Sequence, residues 1–260
     1  MDYKAAARKL KEALRMRTEP LGVAFFKDAA ALPEKSRRPS LVLKKRVTIC
    51  QGVTMARLYG WPVGLTADDL ICVPGMLAFG LAPVADPVAE LGQLVCEVGF
   101  HQDIGPALKE IESMPRFQPQ EIGAVYLCPL ERLALDPQVV VVYGNPAQIM
   151  RLIQALTFVT GERVDGDFSG KVECSSYLIG PVKRGKARVT IPGAGDRIFS
   201  MTQDDELALS MPGAMLVGAL HGLEEAGRKI GARYPVTFYQ NFQPEFPLAY
   251  RERAQKWGII

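Results

Sequence analysis

The stretch QVVVVYGNPAQIMRLIQAL, residues 138–156, constrains the fold more than any other part of this sequence. Its run of β-branched and aromatic residues has no polar alternation, so it reads as a strand buried on both faces. Within two residues of Gly144 the pattern becomes helical, with Asn145 placed as N-cap and Pro146 as the first helical residue. A strand that feeds a helix so directly belongs to a layered arrangement of sheet and helices. The helix N-terminus then lies beside the carboxyl end of the strand, a common place for an anionic ligand, which makes Asn145 a candidate contact.

Other elements fit the same class. GVAFFK and GAVYLCPL read as buried strands, SLVLKKRV and ARVTIP as further strands, and VECSSYLIG places Cys174 at the end of one. Helices are expected over about 2–16, over CQGVTMARLYG with its stop at Gly60, over about 86–97 and 103–114, and from about Pro212 to Lys229. The fold class expected is α/β or α+β, with mixed sheets and packed helices. SMPRFQPQE, residues 113–121, is the best linker, dividing an N-terminal half (1–114) from a C-terminal half (115–260), unless the whole is one domain.

TADDLICVPGML, from Thr66 to Leu77, returns in altered form as TQDDELALSMPGAML, from Thr202 to Leu216. In each copy a Thr precedes an Asp by three residues, so its hydroxyl can cap a short helix that stops before Pro-Gly. Two related halves from an internal duplication, or two corners with the same capping chemistry, both account for this. Ser210 takes the place of Cys72, so the corner itself needs no thiol.

Composition excludes several classes. With 48% apolar and 23% charged residues the chain has an ordinary globular balance. No uncharged apolar run nears the roughly 18 residues of a membrane span, and the N-terminal pattern is helical, not that of a signal peptide. A cytoplasmic protein with no membrane partner is expected. The net charge of +3 is too small to imply nucleic acid; the basic stretches 34–46 and 183–188 lack interleaved aromatics and read as solvated loop charges. Seven of the 21 aromatics lie between Tyr234 and Trp257, as expected of a tail that covers a core or a homo-oligomer interface.

Five cysteines, an odd number widely spread, point to reduced thiols. Cys50, Cys72 and Cys174 each fall near an expected helix N-terminus, where amides and the helix dipole favour a thiolate able to bind metal or attack an electrophile. The competing reading is an inert core cysteine, which suffices for Cys96 and Cys128. No Cys-x-x-Cys or Cys-His cluster is present, and no Gly-x-Ser-x-Gly. Of the two histidines, His221 lies on an apolar helix and reads as a core or interface residue, whereas His101 precedes a helix. PGAGDR, residues 192–197, offers amides at Gly193 and Gly195 and the cation Arg197 to a small anionic ligand, or a tight turn with a structural Asp-Arg pair.

EPLGVAFF, CQGVTMARLYG, CVPGMLAFGL, YGNPAQIMRLIQA, the Cys174 segment and GDRIFSMTQDDELALSMPG, in that order, resemble the uncharacterised prokaryotic domain of unknown function family 169. The resemblance spans nearly the whole chain and implies a cytoplasmic protein with no established activity. It also implies cysteines at positions 50, 72 and 174, with a further one close before Gly-Asp-Arg, where this chain has Pro192, Gly193 and Ala194. An iron-sulfur cluster or other thiolate-bound metal would then need a non-cysteine fourth ligand or an open position. Three functions follow as expectations: a metal or redox cofactor protein, a small-anion-binding module, and an oligomeric accessory protein without catalysis.

Overall fold

The computed structural model describes residues 1–231, 233–235 and 247–260. Its strands are β1 (Leu21–Phe26), β2 (Val63–Leu65), β3 (Ala124–Pro129), β4 (Val139–Gly144), β5 (Asp165–Gly166), β6 (Arg188–Thr190) and β7 (Leu207–Pro212). Its helices are α1 (Tyr3–Leu14), α2 (Pro39–Val42), α3 (Ile49–Tyr59), α4 (Val73–Ala78), α5 (Pro87–Glu97), α6 (Ile104–Ser113), α7 (Pro146–Thr160), α8 (Gly180–Arg184), α9 (Ala194–Ser200), α10 (Leu216–Ile230) and α11 (Leu248–Lys256).

The strands form one mixed sheet in the order β2-β3-β1-β4-β7-β6-β5, antiparallel throughout except for the parallel pair β5-β6. β1 lies between β3 and β4, so the first half of the chain supplies the strand around which the second half is built. The absence of polar alternation in β1, β3 and β4 has a direct cause: both faces are covered. Leu21, Val23, Val125, Leu127, Val139 and Val141 pack on one face with α3, α4 and the Cys174–Ile179 turn. Ala24, Tyr126, Cys128, Val140, Val142, Leu209 and Met211 pack on the other with α1, α7 and α10.

Local signals set the boundaries. Thr48 and Gln51 form a reciprocal capping box at the start of α3, and Gly60 ends it at φ 69°, a left-handed position that costs other residues strain. Asn145 caps α7 as expected, with Gln148 answering it and reaching the carbonyl of Leu14. α7 and α10 approach so closely that a Cβ at Gly222 would overlap the carbonyl of Ala155.

Four expectations need correction. SLVLKKRV is not a strand: Pro39 starts the single turn α2, residues 41–46 are exposed, and only Val47 pairs, in one bridge to Leu70. VECSSYLIG is not a strand either: the chain is helical from Glu173, with a π-turn over Ser175–Ile179 before α8. The 113–121 stretch is no bare linker, since Phe117 is buried against Phe25 and Phe79. The two TxxD copies fold differently. Thr66 and Asp69 bracket a 3-10 turn ahead of α4, whereas LALSMP is the strand β7, and the helix expected from Pro212 is α10, which begins at Leu216. The Thr66 hydroxyl donates to Asp69 instead of capping a backbone amide.

Residues 236–246 of the aromatic tail, with four of its seven aromatics, lie outside the described residues.

Candidate functional site

α3 and α9 lie side by side with like ends together. At one end a Cβ at Gly195 would stand 3.9 Å from Cys50 Sγ, and at the other Tyr59 Oη meets Met201 Sδ at 3.7 Å. Between them Thr54 Oγ1 donates to the Ser200 carbonyl. Cys50 therefore faces the start of α9, with Thr48 Oγ1 at 3.2 Å from its sulfur.

Cys72 is the N-cap residue of α4. A Cβ at Gly75 would touch both Cys72 Sγ at 3.3 Å and Ile49 Cγ1 at 3.1 Å, which places the Cys72 thiol against the first turn of α3. Cys174 opens the π-turn, an irregularity that often marks functional positions in helices. Three residues on, Tyr177 Oη donates to Asp196 Oδ1 at 2.8 Å. Asp196 Oδ2 accepts from the Gly193 amide at 3.1 Å, so this carboxylate, 3% exposed, joins α9 to the Cys174 turn. Buried Cys50 and Cys174 and half-buried Cys72 thus enter one neighbourhood from three separate segments, with Asp196 near enough to act on each.

The electrostatics follow from burial. Loss of water pushes the Cys50 thiol up to about 11, and the Asp196 carboxylate adds to the rise. Burial also raises Cys72, against a hydrogen bond from the Gly75 amide. Cys174 stands well above the ordinary thiol range, first through burial and then through Cys50, Cys72, Asp196 and Glu173. The expectation that helix N-termini favour thiolates is opposed here by burial, whose desolvation acts against the charged form at all three positions. Glu173, 1% exposed, is pushed up to about 7 by burial, against hydrogen bonds from the Ser169 and Gly170 amides.

Beneath the thiols is a buried polar floor. Arg57 pairs with Glu206 at 2.8 Å and stacks 4.2 Å over the Tyr143 ring, which packs edge-on against Tyr177. None of Arg57, Glu206, Tyr143, Tyr177 or Glu173 stood out in the sequence. A charged residue inside an apolar helix pattern, such as Arg57 in MARLYG, is the one signal that could have drawn notice.

The anion-cradle residues lie differently. The Gly193 amide is taken by Asp196, the Ala194 amide by the carbonyl of Gly170, and Arg197 by the Gln203 carbonyl and Asp204. Arg197 pairs with Asp204, not with its neighbour Asp196. Asn145, at the start of α7, donates to Tyr234 Oη. Elsewhere, His101 is half-buried against Glu110 at 2.5 Å, and His221 is exposed, not buried in a core. Among the described residues no group of three or more His, Cys, Asp or Glu side chains stands at the ligand positions of a single metal ion.

The family model described as domain of unknown function 169, uncharacterised ArCR, matches residues 9–222. The chain belongs to this family. All three cysteines and Asp196 fall inside the matched region, as do α3, α4 and α9. A relative of the domain of unknown function 169 chain, the uncharacterized protein MJ0308 of Methanocaldococcus jannaschii, is 25% identical over 219 residues, covering 84% of this chain and 92% of that protein. No solved structure matches. No helix among the described residues is long and apolar enough to cross a membrane.

Proposed function

We propose that this protein holds a thiol-ligated metal cofactor, of iron-sulfur type, at Cys50, Cys72 and Cys174, with Asp196 as the non-cysteine fourth donor. The supporting observation is the gathering of three of the five cysteines with one buried carboxylate, from segments up to 146 residues apart (196 minus 50). Each of these groups raises the proton affinity of Cys174, so a cation among them would relieve a shared cost. The side chains are not set for one bare ion, whose thiolate ligands would each lie about 2.3 Å from it. A cofactor with breadth of its own suits thiols that sense one another without converging on a point. The anion-binding reading is the weaker one, because the Gly193 amide, Asn145 and Arg197 that it would use already have protein partners.

The test is purification without oxygen, with a visible absorption spectrum and assays of iron, zinc and acid-labile sulfide. Absorbance from thiolate-to-iron charge transfer is expected, and its loss in Cys50→Ser, Cys72→Ser and Cys174→Ser variants that remain folded. A colourless, metal-free protein that also takes up neither iron with sulfide nor zinc in vitro rejects the reading.

A further inference from the structure

The turn after α2 is unusual for a soluble surface. Leu41 is 57% exposed, Val42 53% and Leu43 41%, and Lys44, Lys45 and Arg46 follow, all exposed. Lys44 has a left-handed φ of 54°, which ends the helical turn and carries the chain back toward Val47. Hydrogen bonds from the Val47 amide to the Asp69 carbonyl and from the Ile71 amide to the Val47 carbonyl hold the 69–73 loop alongside. That loop adds Ile71 at 64% exposed and Val73 at 52%. Five aliphatic side chains thus stand in water beside three adjacent cations. Nearby Arg38 is engaged by Asp68 and Asp69, but Lys44, Lys45 and Arg46 form no ion pair among the described residues.

Contiguous exposed aliphatics mark a contact surface. Protein hot spots are enriched in Trp, Tyr and Arg seated in pockets, and this turn offers exposed Leu and Val instead. Aliphatic residues backed at once by Lys and Arg match a headgroup boundary, where the apolar groups enter the acyl edge and the cations meet phosphates.

We propose that the Leu41–Arg46 turn, with Ile71 and Val73 beside it, docks the protein peripherally on an anionic lipid surface. The expectation of no membrane partner rested on the lack of a spanning segment, which peripheral docking does not need. Docking of this kind is reversible and weakens as salt screens the cations. The inference is independent of any cofactor.

The experiment is flotation of the full chain with vesicles of phosphatidylcholine alone, and of phosphatidylcholine mixed with phosphatidylglycerol. Binding to the anionic vesicles alone is expected. It should fall about a hundredfold in a Lys44→Gln, Lys45→Gln, Arg46→Gln variant, and at least roughly tenfold in Leu41→Ser, Leu43→Ser. All five positions are exposed, so melting temperatures should stay near that of the parent. Absence of vesicle binding at low salt overturns the proposal, as does binding that neither variant weakens. A solution dimer that Leu41→Asp dissociates would assign the face to a second copy and overturn it equally.

Discussion

Arg57 and Glu206 form an ion pair almost wholly removed from water, with Nη1 to Oε1 at 2.8 Å and Nη2 to Oε2 at 3.1 Å. The pair ties α3 to the turn before β7. Through Tyr143, Tyr177 and Asp196 it also forms the floor of the thiol site. Removing one partner leaves a buried charge without compensation, at a cost of about 3–5 kcal/mol. Arg57→Met and Glu206→Gln should each lose stability on that scale in urea unfolding. The double variant should lose clearly less than the sum, because it strands no charge. Additive losses would show that the pair is not the unit described.

Asp69 predicts a pH dependence. Burial works against its carboxylate, but hydrogen bonds from Ser40, the Thr66 amide and Arg38 outweigh burial and hold it below the usual carboxylate range. A group depressed on folding stabilises the protein above its unfolded pKa, about 3.9 for Asp, and that stability is lost as pH falls through the folded value. Asp69→Asn should therefore cost roughly 2 kcal/mol at pH 7. The gap from the parent should close below about pH 4. Urea midpoints across that range decide it, and a gap independent of pH would contradict the assignment.

The contact between α7 and α10 predicts opposite signs for two glycines on one helix. A Cβ at Gly222 would overlap the Ala155 carbonyl, and backbone there has no room to retreat. Gly222→Ala should cost about 1–3 kcal/mol or more. At Gly218 the nearest atom to a new Cβ is Val159 Cγ1 at 3.4 Å, so Gly218→Ala should instead gain about 0.5–1 kcal/mol from reduced backbone freedom in the unfolded chain. Equal effects in thermal unfolding would refute the close approach.

What could be read from sequence was whatever one segment decides alone. β1, β3 and β4 announce themselves through unbroken apolar runs, α3 through its stop at Gly60 and α7 through its cap at Asn145. SLVLKKRV has strand composition, yet Pro39 and a side-chain bond from Ser40 to Asp69 favour a helical turn over pairing. The TxxD copies diverge for a similar reason. The second lies next to β4 and β6 and is drawn into the sheet as β7, with Ser210 opposite Val141, while the first has only the one-residue bridge at Leu70. At the site, the sequence offered the three cysteines but not their surroundings. Nothing local marks Tyr177 or Asp196 as partners, and the sign of the thiol shift depends on burial, which only the assembled fold determines.

The arrangement of α3 against α9 can be checked without knowing any ligand. A Cβ at position 195 would stand 3.9 Å from Cys50 Sγ, which places a thiol introduced there beside that sulfur, within reach of an S–S bond once the two side chains rotate. Gly195 lies in α9 without a left-handed φ, and a Cβ there meets only Cys50 Sγ and Phe199 Cδ2, both at 3.9 Å, ordinary contact distances, so Gly195→Cys should fold. Mild oxidation should then link the introduced thiol to Cys50, giving one cross-linked peptide pair in unreduced mass spectra. Combining it with Cys50→Ser should abolish the link. Pairing with Cys72 or Cys174 instead would show that another thiol lies nearest the start of α9. The cross-link should also prevent metal uptake if Cys50 is a ligand, whereas uptake at full stoichiometry in the oxidised variant would remove Cys50 from the proposed set.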